Sequence, residues 1–132
     1  MKNMKDEIIT VRPKVTTGTI QKLPNYIGIS EASAGSTAIS MNMVVIPAGA
    51  KAEPHFHKGY ETAIYMLKGR VKTPYGDNLV KSVINEKGDF IFIPAGVPHQ
   101  PINLSATEPA IAIVARNDAN EQESVQVYKP SI

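Results

Sequence analysis

"GDFIFIPAGVPHQPIN", residues 88 to 103, sets two glycines, three prolines and one histidine around a single short apolar run. Gly88 and Asp89 turn the chain into Phe90–Ile93, a run of strand formers too short for a helix, which stops at Pro94. Pro94 and Pro98 then stiffen a tight corner in which Gly96 can take a positive φ. His99 stands just beyond that corner, with Asn103 four residues on.

The same grammar of short run and sharp stop extends in both directions. "TAISMNMVVIP" (37–47) alternates, with Ile39, Met41, Met43 and Val45 on one face and Ala38, Ser40 and Asn42 on the other, so it reads as a half-buried strand with the methionine face inward. "TAIYMLKGRVK" (62–72) breaks at Gly69, "YGDNL" (75–79) is a hairpin turn, and "LVKSVIN", "AIAIVAR" and "SVQVY" supply further strands. Ten prolines and nine glycines spread over 132 residues interrupt most windows long enough for a helix, and no apolar spacing of three and four is sustained. About eight short strands in succession make an all-β sandwich or barrel. Residues 1–20 read as an N-terminal arm or edge strand and 21–132 as one barrel domain, with polar "NDANEQE" (117–123) as a surface loop.

Composition narrows the function classes. Fourteen basic and twelve acidic residues are interspersed for a formal net charge of +2, which leaves no basic face for nucleic acid. No apolar stretch approaches the roughly 20 residues that cross a bilayer. The opening MKNMKDEIIT carries Asp6 and Glu7 and no continuous apolar segment, which reads as no secretory signal, so the expected compartment is the cytoplasm. Cysteine is absent, so a tightly held metal must use histidine nitrogen and carboxylate oxygen.

All three histidines fall near two motifs. In "AEPHFHKGYETAIYMLKG" (52–69), His55 and His57 are two apart, so on a strand they share a face at about 7 Å along the backbone. A pair of this kind is also compatible with a solvated polar strand. Glu61 has the same parity, but Lys58 and Gly59 suggest a turn, and parity does not survive one. His99 is distant in sequence, and a strand returning beside the first would bring it to the same point. Three imidazoles and a carboxylate, His55, His57, His99 and Glu61, suit Fe, Mn, Ni, Cu or Zn as divalent ions. Inward residues of the flanking strands, Met43, Tyr65, Phe92 and Gln100, are the candidate walls of a mainly apolar substrate pocket. Lys58, Lys68, Arg70 and Lys72 are expected at the surface, which ranks sugar-phosphate isomerase or epimerase chemistry low.

These motifs resemble those of the cupin superfamily. The second is complete: Gly88, five residues, Pro94-Ala95-Gly96, two residues, His99, three residues, Asn103. The first runs Gly49, five residues, His55-Phe56-His57, three residues, Glu61, then seven residues rather than six to Gly69; the four-spacer version would place Thr62 at the ligand position. The resemblance implies a double-stranded β-helix, the small jelly-roll barrel, with a divalent transition metal in its mouth and a homodimer as the common assembly. It leaves Glu61 as ligand, as general base, or as a neighbour of a three-histidine site. Small bacterial dioxygenases are similar, so the expected function is a metal-dependent dioxygenase-type oxidoreductase acting on a small apolar, aromatic or enolic compound. The alternative is a binding protein, sensor or store, for a small molecule or metal without turnover.

Overall fold

A computed structural model describes residues 6–13, 17–18, 23–120 and 124–131. Among the described residues eleven strands follow one another: β1 (Thr17–Gly18), β2 (Pro24–Ile29), β3 (Ser40–Ile46), β4 (His55–His57), β5 (Thr62–Lys68), β6 (Arg70–Tyr75), β7 (Lys81–Glu86), β8 (Phe90–Ile93), β9 (Ile102–Asn103), β10 (Ala110–Arg116) and β11 (Val125–Val127). One antiparallel sheet runs β1-β2-β3-β10-β5-β8. The β7-β6-β9 and β11-β4 ribbons are joined by single bridges, Lys51 to Ile102, His55 to His99 and Tyr75 to His99, into a second layer. Side chains from the two layers meet in a core of Leu23, Val44, Ile46, Ala52, Met66, Val71, Ala110 and Val114. This is the all-β, double-stranded β-helix jelly roll.

Of the expected N-terminal arm, Thr17–Gly18 pairs with β2 at the edge of the large sheet, while 1–5, 14–16 and 19–20 lie outside the described residues. The hairpin at 75–79 forms around a turn of 3-10 helix, Asp77–Leu79. One helical turn, Glu31–Ala34, escaped the periodicity argument because it is four residues long and is made by its caps. The Ser30 side chain accepts from Ser33 N–H, the Ser33 side chain accepts from Ser30 N–H, and Gly35 closes the turn at φ 74°. The polar 117–120 segment is also less exposed than its composition suggests. Asp118 and Ala119 are buried, and Asp118 accepts from Asn120 N–H at 3.1 Å and from the Ser124 hydroxyl at 2.6 Å.

β3 alternates as expected, but the buried set is Ser40, Asn42, Val44 and Ile46, not the methionine face. Both faces carry apolar residues, so hydrophobicity did not choose between them, and a one-residue error of face reverses the whole strand. Asn42 tolerates burial because its Oδ1 accepts from Gly28 N–H at 3.1 Å, where β2 slips register against β3.

Two motif residues are explained by the fold. Gly69 joins β5 to β6 at φ 90°, and a Cβ there would come within 2.9 Å of Ala110 Cα and Cβ, so no other residue fits without displacing β10. Asn103 is structural: its Nδ2 lies 2.8 Å from Glu108 O, 3.0 Å from Ile46 O and 3.2 Å from Pro47 O, and its Oδ1 accepts from Ser105 N–H at 2.9 Å. It thereby ties the end of β3 to the start of β10.

Candidate metal centre

His55 and His99 form an antiparallel rung. The His55 N–H donates to His99 O at 3.0 Å and the His99 N–H donates to His55 O at 2.8 Å, so both side chains leave the sheet on one face. Their ring centroids are 4.4 Å apart, and His57, two residues along β4, lies 5.1 Å from His55 and 5.5 Å from His99. All three are buried, and one nitrogen from each falls within 4.8 Å of the others.

The protonation of the cluster follows from its partners. His55 Nδ1 is 2.7 Å from Glu53 O and His99 Nδ1 is 2.9 Å from Val97 O; a carbonyl only accepts, so each Nδ1 carries the proton and each Nε2 keeps its lone pair. Burial, then the neighbouring His99 and Arg116, hold the His55 pKa down to about 3 against an opposing hydrogen bond to Glu53. Burial, with Arg116 adding to it, lowers that of His99 to about 4 against the bond to Val97. Both rings are neutral at pH 7, as metal ligation requires.

Arg116 is the group sequence reading passed over. Directly opposite Thr62 across the β10–β5 ladder, it donates from Nε to Thr62 Oγ1 at 2.9 Å, and its Nη2 lies 3.0 Å from His57 Nε2. Arginine donates only, so His57 also presents an unprotonated Nε2. Its signal was present in "AIAIVAR", where Arg116 shares the parity of the buried Ala110 and Val114. The donor chemistry of three neutral imidazoles fits a divalent ion, with one of the three lone pairs engaged by the guanidinium.

The structure does not bring Glu61 to this cluster. The chain turns at Gly59, φ 79°, and β5 begins with Thr62 buried, so strand alternation sends Glu61 outward, where it is exposed and its N–H donates to Asn117 Oδ1 at 2.8 Å. It is Thr62 that occupies the inward position.

His55, His99 and Arg116 form the polar end of a cavity of about 480 Å³ whose walls include Val44, Ile46, Ile64, Met66, Val71, Ile91 and Val114. Among the expected wall residues, Phe92 borders the cavity but is 60% exposed. Met43 and Tyr65 project from the outer face of the large sheet, for the same reversal of parity seen in β3; Met66 and Ile64 line the interior instead. Gln100 donates from Nε2 to Ala52 O at 3.1 Å and is not a wall. One arginine and no lysine lines the cavity among the described residues. Lys58, Lys68, Arg70 and Lys72 are exposed, Lys68 and Arg70 facing Glu108 and Glu86 at 3.3 and 3.4 Å. No helix among the described residues is long and apolar enough to cross a membrane.

Comparison with known proteins agrees with this architecture. Oxalate decarboxylase from Lactobacillus farciminis, solved as a formate complex, superposes with a TM-score of 0.73 at 21% identity, over 87% of this chain and 33% of its own. A Klebsiella pneumoniae protein with a double-stranded β-helix domain matches over 98% of this chain and 96% of its own, with a TM-score of 0.68 at 14% identity. Peruvianin-I from Thevetia peruviana latex, described as a cysteine peptidase, gives 0.71 at 15% identity over 89% of this chain and 74% of its own. At these identities the likeness is one of fold, and the chain spans about a third of the length of the oxalate decarboxylases, 33% and 30% in two of them. No curated protein sequence matches it. The sequence profile described as cupin domain covers residues 42–116, from inside β3 to the end of β10 and so across all three histidines, and the chain belongs to the cupin family.

Proposed function

We propose that this protein is a metal-dependent oxidoreductase of the dioxygenase type, acting on a small apolar, aromatic or enolic compound, with His55, His57 and His99 holding one divalent ion of Fe, Mn, Ni, Cu or Zn. The observation that carries the reading is the convergence of three imidazoles, two of which, His55 and His99, open onto a mainly apolar cavity. Its volume, about 480 Å³, falls within the range of small-molecule sites. A redox-active ion held there supplies Lewis acidity and one-electron chemistry toward dioxygen. The chain's own part is to bind and orient. Val44, Ile64, Met66 and Val114 exclude water and pack the apolar body of the compound, the carbonyls of Glu53 and Val97 fix the ring orientation of His55 and His99, and Arg116 sets a positive charge beside them. Among the described residues no lysine lines the cavity, which supports ranking phosphosugar chemistry low.

The test is oxygen consumption by the Fe and Mn forms across catechols, flavonols and β-diketones, with oxalate as a further arm. Uptake with at least one of the first three, lost in His55→Ala, is expected. No uptake with any compound, together with ligand-induced rises in melting temperature, would establish the second reading, binding without turnover, which the guanidinium on His57 favours.

The assembly is proposed to be a homodimer through the outer face of the large sheet. Register places Met43, Ile113, Tyr65 and Phe90 in one row across four strands, and Met41, Ala115, Ala63 and Phe92 in the next. Phe90 and Phe92 are 82% and 60% exposed, which at about 200 Å² per aromatic side chain leaves roughly 300 Å² of ring in water, already the size of a monomer's largest apolar patch. Exposed Ile39 and Met41 enlarge it toward the roughly 800 Å² that each partner of a stable dimer buries. Sedimentation should show a dimer that Phe90→Glu converts to monomer; a wild-type monomer at tens of micromolar would rule the interface out.

A further inference from the structure

Arg116 stands where a bound ion would need His57. A neutral imidazole has one lone pair, on the nitrogen without the proton. In His57 that nitrogen is Nε2, and the Arg116 guanidinium donates to it at 3.0 Å. A divalent ion binds the same lone pair at about 2.0–2.1 Å, so the hydrogen bond and the coordinate bond exclude one another. Charge acts in the same direction, because a guanidinium stays protonated at any accessible pH and repels a dication across a buried, low-dielectric gap. The contact is not incidental. Arg116 is 7% exposed, and its Nε is anchored on Thr62 Oγ1, the inward residue at the start of β5, which aims the guanidinium across the bore from one sheet to the other. The cavity it borders together with His55 and His99 gives it space to withdraw.

We propose that Arg116 is a positioning residue that guards the metal site: its hydrogen bond to the His57 lone pair competes with a divalent ion for the same nitrogen, so the guanidinium must withdraw for the ion to enter and thereby weakens metal binding and slows uptake. The proposal rests on the three-histidine metal reading. It also gives the Thr62–Arg116 pair a purpose, since a neutral hydroxyl and a cation here take the inward position where a carboxylate ligand would have favoured the ion.

Competitive titration of Co(II) against a chromophoric chelator, with circular dichroism to verify folding, tests it on the full chain. Arg116→Met should bind Co(II) at least tenfold more tightly than wild type and load faster. Arg116→Lys, which keeps a cation and a donor, should stay within threefold of wild type. Thr62→Val, which removes only the anchor, should shift affinity in the same direction as Arg116→Met by a smaller factor, and it decides the question if Arg116→Met does not fold. Unchanged or weaker binding in the folded variants overturns the guard while leaving the metal site standing. Absence of Co(II) binding in wild type and in every variant overturns the metal reading, and the guard with it. Glu61→Gln is the control: a loss of binding there would show that Glu61 swings in to supply the charge, and would overturn the assignment of control to Arg116.

Discussion

Replacing His99 with alanine should lower affinity for Co(II) or Zn(II) by more than about 100-fold, since changing even a partner of a ligating histidine typically costs about 10–100-fold. His99 is the sharpest choice because it contributes twice. Its ring is one of the three that converge, and its backbone is the other half of the rung with His55. The backbone half survives the substitution, so the variant should keep its strand content while losing the ion. His55→Ala should give the same result, and a double variant should bind no more weakly than the singles by any large factor, because two imidazoles no longer make a tight site. Isothermal titration of refolded, chelator-treated protein is the measurement; undiminished binding in His99→Ala would place the ion elsewhere.

Acid should destabilise the metal-free protein through the same residues. The folded-state pKa values of His55 and His99, about 3 and about 4, lie below the 6.5 of an unperturbed imidazole. Between those values the unfolded chain holds more protons than the folded one, so stability falls as pH falls. Above 6.5 these two groups contribute no pH dependence, and below about 3 the full penalty is in place. At pH 5 each ring accounts for about one and a half pKa units, on the order of 4 kcal/mol for the two together at 1.36 kcal/mol per unit. Against the 5–15 kcal/mol typical of a domain this is decisive. Urea unfolding at pH 7.5 and pH 5.0 should show it, and His55→Gln combined with His99→Asn should flatten the difference. An equal drop in that double variant would assign the acid sensitivity to other groups.

How much of this was legible in the sequence depended on whether the signal was local. Strand ends were legible because Pro47, Gly69 and Pro94 act on their own backbone, and the turn at 75–79 is written in Gly76 and Asn78. The convergence of the histidines was legible through motif spacing, which encodes a pairing that no single segment shows. The inward face of β3 was not, because it carries polar Ser40 and Asn42, and the β2 backbone amide that satisfies Asn42 is supplied only by the assembled sheet. Glu61 and Thr62 show the same limit. One residue of register separates solvent from the bore, and a turn at Gly59 decides it. Arg116 was missed because a charge at the end of an apolar strand reads as its solvent-facing stop, and its partners lie 54 and 59 residues away.

The reciprocal backbone bonds between His55 and His99 have a consequence for how an ion and the fold are related. In a zinc finger the ligands come together only when the metal gathers them, so folding and loading are one event. Here two of the candidate ligands, His55 and His99, are cross-strand neighbours joined through their own backbones rather than through an ion. Loading should therefore raise the melting temperature only by mass action, growing with the logarithm of free metal concentration, and the secondary structure of the stripped protein should be that of the loaded one. A scaffold of this kind would let the proposed site exchange one transition metal for another without refolding, so that the ion it held would be a matter of supply as much as of sequence.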